Sequence, residues 1–329
     1  MSAAPVDSPR RPWPFPMRLP VFAAPMFLVS GPELVIAACE AGIAGAFPTP
    51  NCRTSAELDQ WMATITQQLD SARATAQGPI GPWVANLITH STNTRFADDL
   101  ALVRRYKPPV VITALGSPKP AMQVVHDYGG LVFADVVNLN LARKAAAAGV
   151  DGLACISAGA GGHTGHLSAF AFISAVREFF DGWIVVGGGI ADGAGIAGAI
   201  AAGADFVYMG TRFVPSLESR AVQQYKQMVV DCGPDDLVVS AAITGTAASW
   251  LVPSLQACGM DPRTLDSAAT RNYDTGSSDA LKRWRDLWAC GQGLQVIRSI
   301  EPVATIVQRL EEEYIRASTR FRALAGEVQ

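Results

Sequence analysis

The chain has little charge and no excess of either sign. Charged residues make up 17% of its 329 residues, and the formal net charge is −3. A nucleic-acid partner would require a basic face that neutralises phosphates, so we expect none. A membrane-spanning helix needs about 18 apolar residues in a row, and the sequence contains no such run. We therefore expect no membrane contact, and we interpret residues 1–17 as a flexible N-terminal segment rather than a signal peptide.

Paired cysteines are also missing. The six cysteines include no C-x-x-C pair, and none lies near a histidine at metal-ligand spacing. Scattered thiols in a long chain are typical of reduced, mostly buried cysteines. This pattern predicts a cytoplasmic protein without a structural metal.

Several catalytic motifs are absent as well. The chain has no G-x-S-x-G nucleophile elbow, no P-loop, and no G-x-G-x-x-G after the first predicted strand. The first two absences argue against a serine hydrolase of the α/β type and a P-loop enzyme. The third argues against a dinucleotide-binding doubly wound sheet.

Short apolar runs alternate with longer, Ala-rich amphipathic segments from Leu19 onward. Eight of these runs have the length and composition of buried strands, and a helix-length segment separates each from the next, which predicts a parallel α/β sheet. An open doubly wound sheet is the competing arrangement, but the count of eight favours closure into a (β/α)8 TIM barrel. The predicted strands are Pro20–Ala24, Gly42–Phe47, Pro82–Leu87, Val110–Ala114, Leu131–Val136, Gly152–Ser157, Ile184–Gly187 and Phe206–Met209.

The alternation stops after Arg212. Residues 221–298 show no convincing strand pattern, and the stretch Thr270–Ser278 is rich in polar turn formers. The segment Pro302–Ala317 then has one apolar face at helical spacing. We therefore predict a barrel formed by residues 18–220 and 299–329, with residues 221–298 as a smaller inserted helical domain that serves as a substrate-binding lid.

The strongest local signals lie at the carboxyl ends of the last two predicted strands, where barrels place their active sites. Gly187–Gly193 follows the seventh strand, and Met209–Phe213 follows the eighth. Glycines there allow backbone N–H groups to approach an anion closely, and the helix that begins near Asp192 would add its positive end. Tight strand-to-helix turns would give the same pattern, but two converging loops favour a phosphate site at Gly188, Gly189, Gly210 and Thr211.

A histidine stands among small residues after the sixth predicted strand, in the run Ser157–His166. Its neighbours leave His163 little to pack against, which indicates a side chain presented to a cavity. An imidazole can remove an acidic or carbon-bound proton near neutral pH, so His163 is the candidate for a catalytic or substrate-contacting role. Asp135, at the end of the fifth strand, is the acidic residue we expect at the barrel mouth. It would bond either a ligand or a neighbouring loop.

Six short segments occur in one order between Leu19 and Ala317. They are Ala24-Pro25-Met26, Asn86-Leu87, Ala160–Gly165, Gly187–Gly193, Gly210–Phe213 and Ala289–Gly293. Each glycine loop alone is a weak signal, whereas the ordered set is specific. The series resembles that of nitronate monooxygenases, also known as 2-nitropropane dioxygenases, and of the related enoyl-acyl-carrier-protein reductase II enzymes.

The resemblance implies an FMN-dependent oxidoreductase on a TIM barrel. His163 matches the family's catalytic base, and Gln292 would close over the flavin from the inserted segment. The cofactor contacts that the resemblance implies are Ala24, Pro25, Met26, Asn86, Gly161, Gly162, Gly188, Gly189, Gly210, Thr211 and Gln292, and the position of Asp135 at the barrel mouth adds it to this set.

Two positions depart from the family pattern. Many members carry a Lys near the flavin at the end of the fifth strand, where this chain has Phe133-Ala134-Asp135, and the usual Gln before the A-G-G-H motif is absent around Ser157. A positive charge would favour the reduced, anionic flavin, and an Asp would not. These departures bear on the substrate more than on the cofactor. The apolar segments Phe27–Ser30 and Trp250–Pro253 either line an apolar substrate pocket or simply pack.

Three functions are compatible with these observations. The first is oxidation of alkyl nitronates by O2 to a carbonyl compound and nitrite, with His163 as the base. The second is an NAD(P)H-dependent FMN reductase of a quinone or an enoyl thioester. The third is a non-redox barrel enzyme that binds a phosphate ligand. In each case the partner is a small molecule, and a homodimer is compatible with a sequence that does not fix the oligomeric state.

Overall fold

The computed structural model describes residues 12–265 and 284–326. The strands of this part are β1 (Val21–Ala23), β2 (Ala44–Pro48), β3 (Trp83–Ile88), β4 (Val110–Ala114), β5 (Leu131–Val136), β6 (Gly152–Ile156), β7 (Gly162–His163), β8 (Trp183–Gly187), β9 (Phe206–Met209), β10 (Leu237–Ser240) and β11 (Ala248–Leu251). Its α-helices are α1 (Pro32–Glu40), α2 (Ser55–Thr75), α3 (Phe96–Tyr106), α4 (Lys119–Asp127), α5 (Leu139–Ala148), α6 (Ala169–Arg177), α7 (Gly193–Ala201), α8 (Gln223–Asp231), α9 (Val252–Ala257) and α10 (Val303–Gly326). None of these helices is both long and apolar enough to cross a membrane.

Eight of the strands form a closed parallel barrel, which confirms the predicted fold and excludes the open sheet. Their order is β1-β2-β3-β4-β5-β6-β8-β9, and β1 pairs with β9 through Val21 and Val207 to close the ring. Helices α1 to α7 connect successive strands, as parallel strands require. The last helix, α10, returns from the inserted segment and packs against α7 and α1.

Polar caps determine where four of the outer helices begin. A side-chain oxygen at each cap accepts the backbone N–H three residues later, which satisfies a donor that the first turn leaves unpaired. The cap residues are Thr54 for α2, Asn138 for α5, Ser168 for α6 and Asp192 for α7. Each cap therefore marks the point where a strand-to-helix loop ends.

Alternate residues of the barrel strands point inward and form an apolar cluster of their own, separate from the layer under the helices. This cluster includes Val84 on β3, Phe133 on β5 and Phe206 on β9. Side chains two residues apart on a strand share a face. The next inward positions toward the carboxyl ends are therefore Asn86, Asp135 and Tyr208, so the apolar interior ends in a polar layer.

The N-terminal segment closes the opposite end of the barrel. The Trp13 ring centroid lies 4.5 Å from that of Phe206 and 5.3 Å from that of Trp183, and Phe15 and Met17 pack against the same cluster. Residues 13–17 therefore differ from the flexible segment predicted for residues 1–17, because partial burial of three large apolar side chains offsets the entropy lost in ordering the chain. Residues 1–11 lie outside the described part.

The inserted segment contains two strands as well as helices α8 and α9. Strands β10 and β11 pair antiparallel from Leu237 and Leu251 to Ser240 and Ala248, and β11 also pairs with β7. The expectation of helices and loops alone over residues 221–298 is therefore wrong. Each of these strands has only four residues, which is too short for an alternating pattern to stand out in the sequence. The polar stretch Thr270–Ser278 lies outside the described residues.

Candidate active site

The loop after β1 holds Ala24, Pro25 and Met26 at the carboxyl-terminal mouth of the barrel. The Ala24 N–H donates to the Met209 carbonyl at 2.9 Å, so the loop starts beside the end of β9. Asn51 then supports the loop, because its Nδ2 donates to the Met26 carbonyl at 3.1 Å. Asn51 is almost fully buried. Sequence reasoning missed this residue, since its role depends on a contact with a distant segment.

Three polar side chains line the inner layer just below the mouth. Asn86 Nδ2 donates to Asp135 Oδ2 at 3.2 Å and to the Ile112 carbonyl at 3.3 Å. The other carboxyl oxygen, Asp135 Oδ1, is buried without a hydrogen-bond partner among residues 12–265 and 284–326, and so is the Tyr208 hydroxyl. The predicted residues Asn86 and Asp135 thus come together, and Tyr208 joins them without having been predicted.

Burial dominates the electrostatics of this layer. It raises the pKa of Asp135 to about 7, against the opposing effect of the Asn86 hydrogen bond. It also raises the pKa of Tyr208 well above its ordinary value, and the charge of Asp135 adds to that shift. A ligand that covers the mouth would therefore meet a carboxyl group that exchanges its proton near neutral pH.

The loop after β8 depends on glycine for its shape. Gly188 and Gly189 have φ values of +138° and +70°, which side-chain-bearing residues rarely adopt. A Cβ on Gly188 would lie 2.2 Å from Ser157 Oγ, whose hydroxyl donates to the Gly187 carbonyl at 2.8 Å. The Gly189 N–H donates to the Gly159 carbonyl at 3.1 Å. The loops after β8 and β6 are therefore in direct backbone contact.

The loop after β9 approaches the loop after β1. A Cβ on Gly210 would lie 3.4 Å from Met26 Sδ and 3.7 Å from Ala24 Cβ. The next residue, Thr211, accepts the Gly291 N–H through Oγ1 at 2.9 Å. The glycine loop predicted to bind phosphate thus touches both the β1 loop and the inserted segment.

The inserted segment also reaches the loop after β6. The Gln292 N–H donates to the Gly159 carbonyl at 2.9 Å. A Cβ on Gly161 would lie 2.8 Å from the Gly291 nitrogen. Because no side chain separates these backbones, Gly161, Gly291 and Gln292 lie at one junction beside the glycine loops after β8 and β9.

The amino end of α7 is already occupied by carboxylates. Asp192 accepts the Gly195 N–H at 2.7 Å, and Glu313 of α10 accepts the Gly193 N–H at 2.9 Å. These two groups neutralise the positive end of the helix. Two N–H groups of the first turn are therefore already bonded, the contribution of this helix end to a phosphate site stays a prediction, and the glycine loops are the stronger candidates.

His163 lies on β7, outside the barrel wall, and its side chain is exposed. Its backbone pairs with Ala248 of β11. The Trp284 ring stands edge-on to the imidazole with centroids 5.3 Å apart, and it packs 4.6 Å from Trp250. Trp250 itself is fully buried. The segment Trp250–Pro253 therefore begins with a core tryptophan, and the inserted segment supplies both the strand and the ring beside the candidate base.

Comparisons with known proteins agree on one family. A model of the nitronate monooxygenase family matches residues 14–313. A nitronate monooxygenase of Paraburkholderia phytofirmans is 27% identical, with 93% of this chain and 95% of that protein covered. A mutant of FabK from Thermotoga maritima has 26% identity and a TM-score of 0.73 over 94% of this chain and 96% of its own.

The fold match extends to a nitroalkane oxidase of Streptomyces ansochromogenes. That structure has a TM-score of 0.76 and 23% identity, and the match covers 93% of this chain and 98% of the other. At this identity the likeness concerns the fold alone. The closed barrel, the ordered glycine loops and a family match over nearly the whole chain lead to one conclusion: the chain belongs to the nitronate monooxygenase family, a group of flavin-dependent oxidoreductases.

Proposed function

We propose that this protein binds FMN across the barrel mouth and oxidises alkyl nitronates with O2 to a carbonyl compound and nitrite. One observation carries the proposal: the loops after β6, β8 and β9 converge with residues 291–292 at one side of the mouth, and His163 lies on the loop after β6. The same backbone contacts therefore position both the proposed cofactor site and the loop that carries the candidate base.

The residues of the mouth fit a flavin mononucleotide. Gly188 and Gly189 have positive φ values that other residues rarely adopt, and they carry no side chains, so the backbone can approach a phosphate closely. Gly210 leaves space beside Ala24 and Met26. Across the mouth, Asp135 Oδ1 and the Tyr208 hydroxyl are buried without hydrogen-bond partners among the described residues. A polar group of a ligand would satisfy them. We propose that Gly188, Gly189, Gly210 and Thr211 hold the phosphate, and that Ala24, Pro25, Met26, Asn86, Asp135, Gly161, Gly162 and Gln292 contact the rest of the cofactor.

His163 is proposed as the base that removes the carbon-bound proton of a nitroalkane. An imidazole titrates near neutral pH, so its neutral form is available to accept a proton under ordinary conditions. Pairing of β7 with β11 fixes the backbone of His163, and Trp284 restricts one side of its ring. When bound, FMN supplies the electron transfer between the nitronate and oxygen.

We further propose that the inserted segment, residues 221–298, acts as a lid. Its Gly291 and Gln292 reach the loops after β9 and β6, and its strand β11 holds β7. Closing the mouth would keep water from the reacting carbon and hold the substrate beside His163. Gln292 would then cover the cofactor on the side of the glycine loops.

A second function, NAD(P)H-dependent reduction of a quinone or an enoyl thioester on the same FMN, is favoured by two observations. Asp135 has no cationic partner in the described ranges 12–265 and 284–326, so the side of the mouth at β5 offers an anionic nitronate no positive charge. A cavity of about 200 Å³ beside the mouth, lined partly by Ile88, His90 and Leu115, gives room for a longer substrate. The likeness to FabK agrees with this second candidate.

The base assignment is tested with two substrates of the same carbon skeleton, a neutral nitroalkane and its pre-ionised nitronate. In His163→Asn, we expect turnover of the nitroalkane to fall by about 10²-fold or more, the range for a lost general base, and turnover of the nitronate to fall much less. His126→Asn is the matched control, because His126 pairs with Asp151 on the outer surface. Equal losses on both substrates would remove His163 from proton abstraction.

A further inference from the structure

The carboxyl group of Asp135 has an environment that the proposed reaction does not explain. It lies at the carboxyl end of β5, on the inward face, with Asn86 as its hydrogen-bond donor at 3.2 Å. Its second oxygen, Oδ1, is buried and unpartnered. An ionised carboxylate accepts hydrogen bonds at both oxygens, and burial without them strongly disfavours the charged form.

The surroundings offer this carboxyl group no compensating positive charge. Its register partner on β6 is the apolar residue Ala154, and Ile112 on β4 is another apolar member of the inward-facing cluster. The negative charge of Asp135 contributes to the raised pKa of Tyr208 on β9 and of Cys155 on β6. Both groups are neutral when they carry their protons. In the parts of the chain that the structure describes, Asp135 forms no ion pair with a Lys, Arg or His side chain.

Protonation of Asp135 removes the energetic cost of a buried, unpaired negative charge. With its proton, Asp135 still accepts from Asn86 and can itself donate one hydrogen bond, and its unpaired oxygen becomes a less costly carbonyl oxygen. The direction of its titration agrees, because burial brings the pKa of Asp135 to about 7. A negative charge placed over the mouth would hold this proton more tightly, since ionisation would then put two like charges together.

We propose that Asp135 is a proton-uptake residue of the barrel mouth, which takes up one proton when negative charge appears there and so couples ligand charge to pH. The inference rests on the proposed function for the identity of the ligand, reduced FMN or an alkyl nitronate. The protonation of Asp135 in the ligand-free protein does not depend on either. The residue acts by holding and donating a proton at its carboxyl group, and no other group is required.

The first test uses infrared spectroscopy of the ligand-free protein between pH 5 and pH 9. We expect a carbonyl stretching band of a protonated carboxylic acid that disappears as the pH rises through about 7, the pKa to which burial raises Asp135. The band should lose intensity in Asp135→Asn, leaving only what the other buried carboxyl with a raised pKa in the described residues, Asp99, contributes. It should be unchanged in Asp70→Asn, in which the replaced carboxylate lies on the surface and pairs with Arg73. A spectrum of Asp135→Asn with the same band intensity as the wild type, or a wild-type band already lost by pH 5, would overturn the proposal.

The second test uses the FMN-loaded protein and measures the reduction potential of the flavin against pH. Wild type and Asp135→Asn should have the same potential at pH 5.5, where both side chains are neutral. Above pH 7 the wild-type potential should fall below that of the variant, because reduction then also requires a proton at Asp135. Parallel profiles in the two proteins would refute proton uptake. Failure of both proteins to bind FMN would contradict the proposed function instead, and the infrared result would stand.

Discussion

Replacing Gly188 with Ala is the sharpest structural perturbation of the proposed phosphate loop. The new Cβ would lie 2.2 Å from Ser157 Oγ and 2.6 Å from the Ala158 carbonyl oxygen, and the backbone at this position has φ +138°. A side chain in a sparsely populated backbone conformation of this kind costs about 1–3 kcal/mol, and overpacking of a tight site costs about 1–3 kcal/mol. Together the two effects amount to roughly 2–6 kcal/mol.

The loop can avoid part of this strain only by moving. Movement of Gly188 would also displace Gly189, whose N–H bonds the Gly159 carbonyl. The penalty should therefore appear either as a lower free energy of unfolding of the apoprotein or as weaker FMN binding. Each 1.4 kcal/mol corresponds to about a tenfold change in an equilibrium constant, so we expect FMN affinity to fall at least about tenfold if stability changes little.

Urea unfolding of the apoprotein and fluorescence titration with FMN measure the two quantities. Gly198→Ala is the matched control: this glycine lies within α7, and its added Cβ would meet nothing closer than Phe170 at 3.8 Å. Alanine in a helix is about 1 kcal/mol more favourable than glycine, so this variant should be as stable as wild type or more so and should bind FMN normally. Wild-type stability and FMN affinity in Gly188→Ala would refute the reasoning.

Three further substitutions test other parts of the molecule. Gly210→Asp would place a carboxylate between Met26 and the proposed phosphate, so the purified protein should lose its flavin, as its absorbance spectrum would show; full occupancy would move the phosphate site elsewhere. Trp13→Ala removes the plug at the amino end of the barrel and should lower the free energy of unfolding by about 3 kcal/mol, measured in urea, while FMN affinity stays unchanged. Trp284→Leu removes the ring beside His163, and loss of an aromatic contact of about 0.5–1.5 kcal/mol should lower nitroalkane turnover about two- to tenfold without releasing FMN. An unchanged kcat would show that Trp284 does not position the base.

The regular part of the fold could be predicted because each of its elements has a local signal. The eight strands are short buried runs, and polar caps such as Thr54 and Asp192 precede the helices that follow them. The glycine loops could likewise be recognised, since Gly188 and Gly189 are required by their own backbone angles. The local sequence is sufficient to predict an element or a loop where the backbone conformation of a residue favours that residue type by itself.

The parts that sequence reasoning missed depend on distant contacts. Strand β11 becomes a strand by pairing with β7 and β10, and Trp13 is ordered by side chains on β8 and β9. The α7 terminus is neutralised by Glu313, 120 positions away along the chain. The position of Asp135 at the mouth follows from its place at the end of a strand, but its raised pKa depends on burial, which composition and spacing do not reveal.

The central claim, a nitronate-oxidising flavin in the barrel mouth, is tested most directly by one absorbance experiment. The spectrum of the purified protein is recorded, and propyl-2-nitronate and then NADPH are added without oxygen. We predict a flavin spectrum that the nitronate alone bleaches and that oxygen restores. Bleaching only by NADPH would contradict nitronate oxidation and establish the reductase, and a protein that takes up no flavin even with added FMN would contradict both.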